Sequence, residues 1–152
     1  MIKTHKIKLY PNATMQCELE RLFNYRRFCW NQALETWNVM YDASLVMADK
    51  TLRPNERKVR DELVWNKTDW QYEQSARVLQ LAVNDLSKAW KNYFNPKMPD
   101  HDKPNWKSKK QSRKTFKTDR AQLVNGKLRL DKPHGAGAWY GPDECYAGNY
   151  GR

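Results

Sequence analysis

The chain has 152 residues, 28 of them Lys or Arg against 17 Asp or Glu, for a formal charge of +11. That length suits one ordinary domain or two small lobes, and the excess charge repels itself unless a polyanion neutralises it, which points to nucleic acid, an anionic surface or an acidic protein. A membrane is set aside because no window holds the ~20 apolar residues of a spanning helix and the first residues form no apolar signal core, so the protein is expected to be cytoplasmic.

Residues 2–10 read as a strand, with His5, Ile7 and Leu9 on one face and Thr4, Lys6, Lys8 and Tyr10 on the other. Pro11-Asn12 ends it. Asn12 to Thr14 can cap a helix beginning near Met15, with Met15, Leu19, Leu22 and Phe23 at helical spacing. Arg26-Arg27 is expected at its end or at a bend. A second helix then runs from about Phe28 to Ala48, striped by Trp30, Ala33, Leu34, Trp37, Met40, Tyr41 and Ser44. Pro54-Asn55 opens a short amphipathic segment, Glu56 to Trp65. Ser75 can cap a further helix with Leu79, Ala82, Val83, Leu86, Ala89 and Trp90 on one face, stopped by Pro96. These faces can cover one another in a small bundle.

From Asn95 the composition changes. Lys97, Lys103, Lys107, Lys109, Lys110, Arg113, Lys114, Lys117 and Arg120 face only Asp100, Asp102 and Asp119, the densest basic stretch of the chain. Residues 115–118 and 122–124 suit short strands, and Asn125-Gly126 is a two-residue hairpin signal leading into a return strand at 127–130. The rest, 133–152, is rich in Gly and Tyr, poor in aliphatic residues, and expected to be poorly ordered.

The basic stretch carries the chemistry. Lysines attract phosphates and release counterions, and the hydroxyls of Ser108 and Ser112 can donate to phosphate oxygens. Trp106 either stacks on an exposed base or anchors the loop; single aromatics pack more often than they stack, so an anchor is the first expectation. No catalytic arrangement emerges. The carboxylates Glu18, Glu20, Glu35, Glu56, Asp61, Glu62 and Asp85 lie mostly on solvated helix faces, away from the close grouping a two-metal nuclease needs. His101-Asp102 lacks every other element of a site. Cys17, Cys29 and Cys145 form no Cys-x-x-Cys pair, so neither disulfides nor zinc are expected.

Three blocks resemble a known family in order and spacing. They are Lys6-Ile7-Lys8-Leu9-Tyr10-Pro11 followed by Arg27-Phe28-Cys29-Trp30-Asn31-Gln32-Ala33-Leu34, then Leu79 to Phe94, then Pro104-Asn105-Trp106-Lys107-Ser108-Lys109-Lys110. Over about residues 1–130 the chain resembles the opening of TnpB, the transposon-encoded RNA-guided nucleases related to type V CRISPR effectors. The resemblance implies an α+β fold: a helical recognition bundle inserted into a small, incomplete wedge-type β-barrel. Residues 1–11 would give the first wedge strand, 12–95 the recognition lobe, 96–114 the basic loop, 115–132 further wedge strands and 133–152 a divergent tail. In the family these parts hold guide RNA and target DNA, and a RuvC nuclease domain with three metal-binding carboxylates follows; this sequence departs from the pattern by stopping before it.

The resulting expectation is a truncated, nuclease-less RNA-binding protein without catalytic residues, metal or cofactor. Its candidate nucleic-acid-binding residues are Lys6, Lys8, Tyr10, Arg26, Arg27, Lys103, Trp106, Lys107, Ser108, Lys109, Lys110, Arg113, Lys114 and Lys117. The expected partner is guide or scaffold RNA, with inhibition of an RNA-guided nuclease by competition or sequestration, in the anti-CRISPR manner. The alternatives are a DNA-binding regulator of transposition or transcription, and a protein-interaction module docking on a nuclease.

Overall fold

A computed structural model describes residues 1–130 and the backbone of 145–148. In chain order it contains β1 (Lys8–Tyr10), α1 (Ala13–Val46), a 3-10 turn (Lys50–Leu52), α2 (Glu56–Trp65), the single-turn α3 (Asp69–Tyr72), α4 (Ala76–Tyr93), β2 (Gln122–Val124), β3 (Lys127–Arg129) and β4 (Cys145–Gly148).

The helices begin where capping residues stand. The side-chain oxygen of Asn12 accepts from the Met15 N–H at 2.8 Å, and that of Asn55 from the Lys58 N–H at 2.9 Å. Ser75 Oγ accepts from the Arg77 N–H at 3.3 Å. Each satisfies a first-turn N–H that has no partner within its helix.

The expected break at Arg26-Arg27 does not occur. α1 is one helix of 34 residues, about 50 Å long at 1.5 Å per residue. Neither Gly nor Pro interrupts residues 13–46, and buried Leu22, Tyr25, Cys29, Trp30, Ala33 and Leu34 carry one apolar stripe straight past the two arginines. The helix ends at Val46; just beyond it Ala48 takes a left-handed φ of 51°, and the Asp49 N–H reaches back to the Ser44 carbonyl at 3.0 Å.

α1 packs chiefly on α4 and α2. Val59 and Leu63 of α2 and Val78, Leu79, Ala82, Val83, Leu86 and Trp90 of α4 bury against the α1 stripe, with Leu130 closing the core. Burial pushes the Cys29 thiol up to about 12, so it stays protonated as a small core side chain. Among the described residues no helix is long and apolar enough to cross a membrane.

The strands form an open four-stranded sheet in the order β1-β4-β3-β2, every pair antiparallel. Strands from before and after the helical segment therefore share one sheet, an α+β arrangement. Asn125 and Gly126 take φ of 50° and 73° in the β2–β3 turn, the positive values a tight hairpin requires. The first strand is shorter than expected, because β4 pairs only with Lys8, Leu9 and Tyr10. Residues 115–118, expected as a strand, are irregular; Phe116 instead packs against Phe23, ring centroids 5.8 Å apart. Within the segment expected to lack order, Cys145–Gly148 form β4, while the remainder of that segment lies outside the described residues.

Candidate nucleic-acid interface

Two adjacent residues of α1 hold the basic loop in place. The indole N–H of Trp30 donates to the Asn105 carbonyl at 2.9 Å. The buried side-chain amide of Asn31 donates through Nδ2 to the Lys107 carbonyl at 3.0 Å and accepts from the Lys107 N–H at 2.9 Å. This two-bond clamp grips the main chain, so it fixes the path of the loop without engaging the Lys107 side chain. Pro104 is buried beside it.

Pinned in this way, the loop forms a cleft of about 490 Å³ against α1, lined by Arg26, Asn105, Trp106, Lys107, Ser108, Gln111, Ser112, Arg113 and Thr115. Three cations, three hydroxyls and an indole thus share one opening. Trp106 is 61% exposed, whereas Trp30 is 6% exposed. The expectation that Trp106 anchors the loop is therefore corrected: Trp30, from α1, is the buried anchor, and Trp106 presents its ring to solvent.

Arg26, on the partly buried side of the cleft, is set by Asp85 of α4 at 3.3 Å, both side chains 13% exposed. Asp85 also accepts from Lys117 at 2.6 Å. One carboxylate therefore spans two cations and leaves a positive remainder beside the cleft. Lys107 Nζ lies 3.7 Å from the centroid of the Trp30 ring, a contact that favours the charged amine. Burial, followed by the neighbouring Arg26, outweighs it and brings Lys107 down from 10.5 to about 8.

The other candidate residues lie elsewhere. Lys6, Lys8 and Tyr10 are exposed at or before β1, with Lys8 over the Tyr10 ring at 5.2 Å. Lys109 and Lys110 are exposed on the loop outside the cleft lining, and Arg27 is half-buried on α1. Lys114 pairs with Glu20 at 2.5 Å, Lys117 with Asp85, and Lys103 lines a different cleft. The sequence reading missed Trp30, Asn31 and Asp85. Asn31 gives no periodic signal of its own, because Gln32 follows it in a helical stretch that mixes polar and apolar residues.

Residues 1–44 match the family described as a helix-turn-helix domain, of the OrfB/IS605 type. In this chain those residues make one strand and an unbroken stretch of α1, with no turn inside the helix. Together with a relative that extends the likeness beyond this region, the match makes the N-terminal part of the chain TnpB-like. That relative is InsQ of Escherichia coli (strain K12), which its name assigns as an RNA-guided DNA endonuclease; the two are 27% identical over 96 residues. The alignment covers 61% of this chain and 23% of InsQ, so the chain spans about a quarter of that protein's length. The matched region lies on a chain of charge +11, a balance that suits a polyanionic partner.

Proposed function

We propose that the chain binds guide or scaffold RNA at the cleft between α1 and the basic loop and acts by occupancy. It sequesters the RNA, or competes for it with an RNA-guided nuclease, as an anti-CRISPR-type inhibitor would. The observation that carries this reading is the convergence of Arg26, Lys107 and Arg113 with Ser108, Ser112 and an exposed Trp106 around one opening. Cations and hydroxyls suit phosphates. An exposed indole suits an unstacked base, which RNA loops and single strands offer and a closed duplex does not.

DNA binding is the second reading, favoured by the helix-turn-helix description of the matched family. The helix-turn-helix form of DNA binding sets a recognition helix into the major groove by a turn, and the unbroken α1 supplies none within the matched residues. Purification from the native host, with sequencing of the bound nucleic acid, tests both. A defined guide or scaffold RNA supports the proposal. Recovered DNA supports the second reading, and a nuclease recovered without nucleic acid would refute both in favour of protein docking.

A further inference from the structure

We propose that a second cleft, between the middle of α1 and the end of α4, receives an unpaired nucleobase of the bound RNA; this rests on RNA being the partner proposed above. The rings of Trp37, Trp90 and Phe94 lie nearly parallel. Trp37 and Trp90 have centroids 6.0 Å apart at 12°, and Trp90 and Phe94 5.6 Å apart at 16°. A stack that served only the core would be closed at both ends, but Phe94 is 68% exposed, and Tyr93, edge-on to it at 5.0 Å, is also exposed. The stack ends at the wall of an open cleft of about 480 Å³. A flat base is the ligand that extends such a stack, because every base has a π-face whatever its sequence.

The remaining lining fits the same ligand. Asn38 and Asp42 stand on α1 at the cleft, an amide and a carboxylate able to meet the amino and carbonyl groups on a base edge. Lys103, whose Nζ is 5.7 Å from the Trp90 ring centroid, supplies a cation for the attached phosphate. Trp90 is itself buried and holds the middle of the stack in place. Lys103 of this cleft and Lys107 of the basic cleft are four residues apart on one loop, at most ~14 Å along an extended chain. One RNA strand can therefore place a phosphate at Lys107 and a base against Phe94.

The test uses the full chain with a short single-stranded RNA carrying one central 2-aminopurine, and a blunt RNA duplex of the same length. Binding should quench the 2-aminopurine emission. Phe94→Ala should weaken single-strand binding about 5- to 150-fold, the equivalent of ~1–3 kcal/mol of stacking, and leave duplex binding unchanged. Phe94→Trp, which keeps a stacking face, should restore it. Equal effects on both RNAs, or none on either, would overturn the base site. The RNA reading survives that result if Lys107→Glu still abolishes single-strand binding. Failure of the unmutated chain to bind either RNA overturns both, and preference for the DNA oligomer of the same sequence overturns the assignment to RNA.

Discussion

Lys107 gives the sharpest prediction, because its charge is poised where a modest pH change removes it. With its amine at about 8 in the free protein, roughly 90% of the molecules carry the charge at pH 7 and roughly 9% at pH 9. A bound phosphate favours the ammonium form, so binding takes up a proton above pH 8. RNA affinity should be flat below about pH 7 and fall about tenfold, ~1.4 kcal/mol, between pH 7 and pH 9. Fold stability runs the other way. Between about 8 and 10.5 the unfolded chain holds the Lys107 proton and the folded chain does not, so this group's contribution to stability rises with pH. Lost binding is then not lost folding through this residue. The assay is fluorescence-anisotropy titration at constant salt from pH 6.5 to 9.5, beside Lys107→Arg, whose guanidinium stays charged throughout. A flat profile in the unmutated chain, or a slope that persists in Lys107→Arg, would refute the assignment of the contact to this amine.

Further consequences can be measured with standard variants. Trp106→Ala should lose ~1–3 kcal/mol of affinity for single-stranded RNA with an unchanged melting temperature, since the ring is 61% exposed; a lowered melting temperature with intact affinity would return Trp106 to an anchoring role. Asn31→Ala leaves the Lys107 N–H and carbonyl without their clamp and should destabilise the fold by about 1–3 kcal/mol, with faster hydrogen exchange at Lys107 as the local readout. Ala48→Gly relieves the left-handed φ of 51° and should raise stability by up to about 1 kcal/mol, the strain of an L-residue there less the extra chain entropy of glycine, read from chemical denaturation.

What could be read in the sequence was local. Asn12, Asn55 and Ser75 announce their helices because a cap acts on the next turn, and Asn125-Gly126 announces its hairpin because the turn geometry selects those residue types. What could not be read was set across the chain. Two adjacent arginines look like a helix end until Arg26 meets Asp85, 59 residues further on. Trp106 loses its expected anchoring role to Trp30 because only the landing place of the loop on α1 decides which ring holds it. β4 stands in a Gly- and Tyr-rich segment without an alternating run, and only its pairing with β1 and β3 defines it. Of the cleft, the loop cations and serines were legible from composition, whereas the clamp made by Asn31 was not, because a single buried amide leaves no pattern.

β4 lies between β1 and β3, so the strand at the start of the chain joins the hairpin only through residues some 140 positions later in the sequence. On a ribosome, α1, α2 and α4 emerge in time to cover one another while Lys8–Tyr10 still lack the strand that pairs with them. The helical bundle can therefore form early from near neighbours, and the sheet closes last, against the loop-closure entropy of nearly the whole chain. Until then β1 and β3 each expose a strand edge able to pair with another nascent chain. Newly made protein is most exposed to aggregation in that interval.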